Sequence, residues 1–117
     1  MSEHRKFVRI PFRRPVSYDS IREVPVEGGS QMVKGGCLGC DVSKGGLRST
    51  INRFVPLNTS LLLNFSIDPQ HSIELEGKVV WVQKVPNGEN YQIGMQFVDS
   101  DINFEAQTAL DKFLKKE

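Results

Sequence analysis

Two short stretches hold the residues best suited to chemistry. In "RKFVR", Arg5 and Arg9 stand four positions apart. They are neighbours on a helix, but in an extended chain they lie up to about 14 Å apart and reach different parts of one ligand. A guanidinium offers a planar fork of donors that grips phosphate oxygens or the O6/N7 edge of guanine, and its flat face stacks on a base. In "DVSKGG", an ionised Asp41 can accept from the N1 and N2 hydrogens of guanine, and the Ser43 hydroxyl can donate to a phosphate oxygen. Gly46 lets backbone approach a ligand or adopt a positive φ. Arginine on one guanine edge and aspartate on the other would select that base. Each stretch also has a plainer reading: Arg-x-x-x-Arg recurs by chance, and an acid, a hydroxyl and a glycine pair can simply close an Asx- or Ser-type turn between strands.

Other chemistries find less support. His4 and His71 lie in a charged arm and a polar turn, outside any catalytic pattern, and Glu74 and Glu76 share what reads as the solvated face of a strand. The chain is therefore expected not to be an enzyme. Cys37 and Cys40 form Cys-x-x-Cys, but a structural zinc site needs about four ligands and no second half-site follows. A redox pair would open a helix in a βαβ unit, whereas Gly35, Gly36 and Gly39 surround this one. Two small apolar residues in or beside a strand are expected, with no metal and no cofactor. Trp81 and Phe97 are expected in the core; a single-strand nucleic-acid platform would want more basic neighbours than Lys78 and Lys84.

The elements that must carry these residues are mostly strands. "PVSYDS" reads as a short strand, "EVPVEGGSQ" as a polar connection, and "MVKGGCLGCDVS" and "GLRSTI" as strands broken by Gly45-Gly46. "TSLLLNFSI" follows, then the long, β-branched "SIELEGKVVWVQKV". "PNGEN" contains Asn-Gly, whose preference for φ > 0 joins antiparallel strands, so "YQIGMQFV" is the hairpin partner. Beyond it, Ser100 or Asp101 can cap a helix whose Ile102, Ala106, Ala109, Leu110, Phe113 and Leu114 fall near a 3.6 period. The pattern predicts a mainly β fold: a small antiparallel barrel or sandwich with a terminal helix against its side or mouth.

The 117 residues suit one domain, and 38% hydrophobic with 25% charged residues excludes a disordered chain. Residues 1–22 carry Arg5, Lys6, Arg9, Arg13, Arg14 and Arg22 against Glu3 and Asp19, a balance of +4 within a chain of net charge +1. A basic arm on a near-neutral body suits a defined anionic ligand better than a polynucleotide, so no DNA partner is expected; a solvated tail is the plain alternative. "MSEHRKFVRI" has no apolar signal core and no later run reaches the roughly 18 apolar residues of a membrane span, which predicts a cytoplasmic protein without membrane insertion.

Taken together, "RKFVR", "DVSKGG" about thirty residues on, and the closing "GKVVWV…YQIGMQFVD" resemble the PilZ domain, the bacterial receptor module for cyclic di-GMP. The family's two motifs, Arg-x-x-x-Arg and Asp/Asn-x-Ser-x-x-Gly, are matched in order by Arg5, Arg9, Asp41, Ser43 and Gly46. The resemblance implies a six-stranded antiparallel β-barrel over residues 14–117 with a C-terminal helix, preceded by a flexible basic arm, residues 1–13. It implies that Arg5 and Arg9 clasp guanine edges and phosphates, that Asp41 binds a guanine, that Ser43 contacts polar groups of the ligand and that Gly46 permits close approach. His4, Lys6, Arg13, Arg14 and Lys44 form a secondary set. Members with a further arginine before the first tend to bind a stacked ligand pair; His4 stands there, which points to one ligand per protomer. A single-domain member is expected to act as an adaptor for a downstream protein. The alternatives are a PilZ-like interaction module without ligand and a barrel that binds single-stranded nucleic acid.

Overall fold

The computed structural model describes residues 9–98 and 101–116. Its strands are β1 (Ile10–Pro11), β2 (Pro15–Ser20), β3 (Val24–Val26), β4 (Gly29–Gln31), β5 (Lys34–Val42), β6 (Gly46–Ile51), β7 (Ser60–Asp68), β8 (His71–Lys84) and β9 (Tyr91–Phe97), followed by helix α1 (Asp101–Lys116). The main sheet runs β1-β5-β2-β7-β8-β9-β6, and β6 pairs back with β5. Six antiparallel strands thus close into a barrel, which removes the free edges that short strands otherwise expose. β1 pairs with β5 at Val42 and Asp41, beyond the stretch of β5 that β2 covers.

Strict alternation builds the interior. Along β2, Val16, Tyr18 and Ser20 are buried between exposed neighbours; along β7, Leu61, Leu63, Phe65 and Ile67 face inward; β8 adds Ile73, Leu75 and Val79. Burying each of these large side chains stabilises the fold by roughly 1.5–3 kcal/mol against ordering entropy of similar total size. The β8–β9 hairpin forms as expected, with Asn87 at φ 61°, and its loop is longer than a two-residue turn because Val85 N–H bonds to the Asn90 carbonyl at 2.9 Å.

Helix α1 packs against β8. Leu110 is fully buried, and Ala106, Ala109, Phe113 and Leu114 pack around it on the expected face; Ile102 and the proposed cap Ser100 lie outside the described side chains. Buried Asn103, which the apolar pattern does not reveal, fastens the helix to the sheet. Its Oδ1 accepts from Glu76 N–H at 2.9 Å, and its Nδ2 donates to the carbonyls of Glu76 at 2.9 Å and Val98 at 2.7 Å. "EVPVEGGSQ" differs from expectation: it forms the separate hairpin β3–β4 rather than a plain connection. Gly28 and Gly29, at φ 87° and 153°, make the turn, and buried Val24 anchors it.

Candidate functional site

"DVSKGG" is the turn between β5 and β6. Ser43 N–H donates to the Gly46 carbonyl at 2.9 Å, and Ser43 Oγ accepts from Gly45 N–H at 3.2 Å. The hydroxyl therefore does the turn work that the plainer reading assigned to it, and Ser43 is only 2% exposed. Gly46 is not at positive φ among the described residues; it is there because a Cβ would stand 2.3 Å from the Met95 carbonyl oxygen. The close approach that Gly46 permits is that of β9.

Asp41 owes its direction to a β-bulge. The register between β5 and β6 shifts between Gly39 and Asp41, so Cys40 and Asp41 both turn away from the core that holds Gly39 and Val42. A bulge re-aims a side chain in this way, and here it keeps a carboxylate out of an apolar interior. Asp41 then lies directly across from Arg48 of β6, whose Nη2 is 2.7 Å from Asp41 Oδ2. Arg9, the residue before β1, donates from Nε to Asp41 Oδ1 at 2.8 Å, and its Nη1 stands 3.5 Å from Ser43 Oγ. Residues 32 and 34 positions apart thus meet.

They meet on the wall of an open cavity of about 940 Å³, a volume at the upper end of the roughly 300–1,000 Å³ of small-molecule sites. Among the described residues, Arg9, Lys44 and Arg48 bring three cations to its lining and Asp41 the single carboxylate; Gln96 and Gln107 add amides. Trp81 completes the wall, and this corrects the expectation that it lies in the core: it is 38% exposed, whereas Phe97 is buried. The inward alternation of Ile73, Leu75, Gly77 and Val79 points Trp81 inside, but β8 bulges between Val79 and Trp81, so Val80 and Trp81 both face out. The indole lies against Gly94 of β9, where a Cβ would come within 2.2 Å of Trp81 Nε1. Arg48 carries no motif signal in the sequence, and Trp81 is expected there in the core. Asp41 and Arg48 flank a short turn, which hints at pairing, but nothing local marks either bulge.

The remaining candidates divide by position. Arg5, His4 and Lys6 lie outside the described residues. Lys44 is on the cavity. Arg13 is exposed and not among the lining residues, and Arg14 is engaged elsewhere, donating to the Ser66 carbonyl at 3.2 Å with its guanidinium 5.6 Å from the Phe12 ring centroid. Cys37 packs against the core and Cys40 Sγ stands 3.4 Å from Thr50 Oγ1; both thiols are free. Burial pushes the Cys37 thiol above its ordinary value. Among the described residues, no group of three or more His, Cys, Asp or Glu could hold a metal ion, and no helix is long and apolar enough to cross a membrane.

Comparison with solved structures places the architecture. The Bacillus subtilis inhibitor of motility MotI/DgrA superposes with a TM-score of 0.70 at 20% identity, over 96% of this chain and 49% of its own. The PilZ domain of YcgR from Escherichia coli with c-di-GMP gives 0.62 at 10% identity over 97% and 94%, and the K. pneumonia MrkH–c-di-GMP complex 0.56 at 17% over 98% and 55%. The chain thus spans about half the length of MotI/DgrA. Among curated proteins, none matches the sequence. The family model for the PilZ domain matches residues 3–115, nearly the whole chain, and the chain belongs to the PilZ domain family.

Proposed function

We propose that this PilZ domain is a receptor for cyclic di-GMP. One observation carries the reading: Arg9 of the first motif is bonded to Asp41 and lies beside Ser43 of the second, on a cavity whose charged lining among the described residues sums to +2. A ligand with two phosphodiester charges complements that balance. Asp41 accepts from a guanine Watson–Crick edge, Arg9 and Arg5 take phosphates and the opposite guanine edge, and the exposed face of Trp81 offers a base a stacking surface. Two of the solved relatives, YcgR and MrkH, are described with c-di-GMP, which supports the reading without extending it to this chain.

In the free protein Arg9 is occupied by Asp41, so binding exchanges an internal ion pair for ligand contacts. The basic arm ahead of β1 repels itself and gains its counter-charge from the ligand, which orders it against the barrel to which Ile10–Pro11 already pairs through β5. That ordering presents a new surface to a downstream protein in the cytoplasm, and the chain acts as an adaptor rather than an enzyme. Calorimetry with cyclic di-GMP tests the reading: wild type binds, and Arg9→Ala loses about 2–5 kcal/mol as a charge-assisted contact of the complex. No heat and no shift in thermal stability at high ligand concentration would sink it and leave the interaction-module reading. Exposed Trp81 favours one second reading, stacking on single strands; an oligonucleotide bound with a steep salt slope and no guanine preference would select it.

A further inference from the structure

Arg48 has no part in either sequence motif, yet it makes the shortest ion pair of the site. It sits inside a barrel strand, in direct register with Asp41, and its Nη2 reaches Asp41 Oδ2 at 2.7 Å while Arg9 Nε reaches Oδ1 at 2.8 Å. The two arginines hold different oxygens, one from each side. An ionised carboxylate has about four acceptor sites, so these two contacts leave roughly one on each oxygen. A guanine edge presents two adjacent donors, N1–H and the 2-amino group, which fit that remainder.

The two anchors differ in what supports them. Arg9 precedes the two-residue strand β1, whereas Arg48 is embedded in β6, paired with β5 on one side and β9 on the other. Its Nε is buried and makes no hydrogen bond among the described residues, so Asp41 is the polar partner that accounts for its placement there. When Arg9 turns to the ligand, Oδ1 is released and Arg48 alone keeps the carboxylate aimed. We propose that Arg48 is a positioning residue that holds Asp41 for the guanine edge and thereby sets the preference for guanine. This role rests on the cyclic di-GMP reading of the cavity.

The test compares cyclic di-GMP with its hypoxanthine analogue, cyclic di-IMP, which lacks the 2-amino group, by calorimetry on the full chain. Wild type should prefer cyclic di-GMP. In Arg48→Gln that preference should shrink by about tenfold, the loss of one well-aimed charge-assisted hydrogen bond, with cyclic di-IMP much less affected. Arg48→Lys keeps the charge without the planar fork and should fall between. If Arg48→Gln fails to fold, Arg48→Lys decides: a preference below wild type supports the role, and one equal to wild type overturns it. Equal weakening toward both ligands would make Arg48 an ordinary cross-strand ion pair and overturn the inference while the receptor reading stands. Wild type that binds neither ligand overturns both.

Discussion

The two sides of this barrel obey different rules. On the β2–β7 side, Val16, Tyr18, Leu61, Leu63 and Phe65 alternate with exposed residues and the paired register between the strands is unbroken. On the β5–β6–β9–β8 side, the register shifts at Cys40 and again at Val80, and each shift delivers a cavity residue, Asp41 or Trp81, to the outer wall. Both sides contribute buried residues to one core. The difference teaches that regular pleating makes the scaffold. Two interruptions of it, which cost ladder hydrogen bonds, turn side chains onto the cavity wall, whereas a third, between Ser66 and Asp68 of β7, supplies no lining residue.

Substitutions on the two sides should separate stability from binding. The largest effect is expected for Leu63→Ala on the regular side: a fully buried leucine lost, about 3 kcal/mol or more by denaturant unfolding, with cyclic di-GMP affinity of the folded protein unchanged. Trp81→Ala on the interrupted side should weaken the ligand by about 1–2 kcal/mol of stacking while lowering the unfolding midpoint less than Leu63→Ala does, since the indole is 38% exposed. Trp81 is the sole tryptophan, so its fluorescence in wild type should respond to ligand, and a silent indole would place the ligand elsewhere. Should Leu63→Ala weaken the ligand and Trp81→Ala unfold the barrel, the division of labour is wrong.

The smallest effect concerns Cys37. Burial raises its folded thiol above the ordinary value, so the protonated form is favoured in the native state. Its contribution to stability is complete below about pH 8.5, the unfolded thiol's range, and is lost as pH rises through the raised folded value. Unfolding midpoints measured from pH 7 to 10 should therefore fall on the alkaline side, and Cys37→Ala should flatten part of that fall. An identical slope in the variant would mean that other groups control it.

Much of this molecule was legible in advance because its signals are local. Strand boundaries followed period-two alternation and turn chemistry: "PVSYDS" and "GLRSTI" match β2 and β6, and Asn87 adopts the positive φ that its Asn-Gly turn favours. The apolar face of α1 was likewise read from its spacing. Misreadings had a common cause. Alternation along β8 points Trp81 into the core, but a bulge breaks it, and Arg48 carries no motif signal because its partner is defined by strand register rather than by sequence distance. Asn103 is invisible to the helical pattern because its buried amide is satisfied by the backbone of β8.

The sequence by itself determined a β-rich chain with one terminal helix, a basic N-terminal stretch and two motifs of complementary donors and acceptors, since composition, periodicity and residue type are properties of short segments. Only the tertiary structure decided that Arg9 would stand 2.8 Å from Asp41, that Arg48 would take the other oxygen, and that Trp81 would form a wall of the same cavity. Closure of the barrel sets those distances. Each depends on the register of strands far apart in the chain, and register is a collective outcome of how the whole core packs.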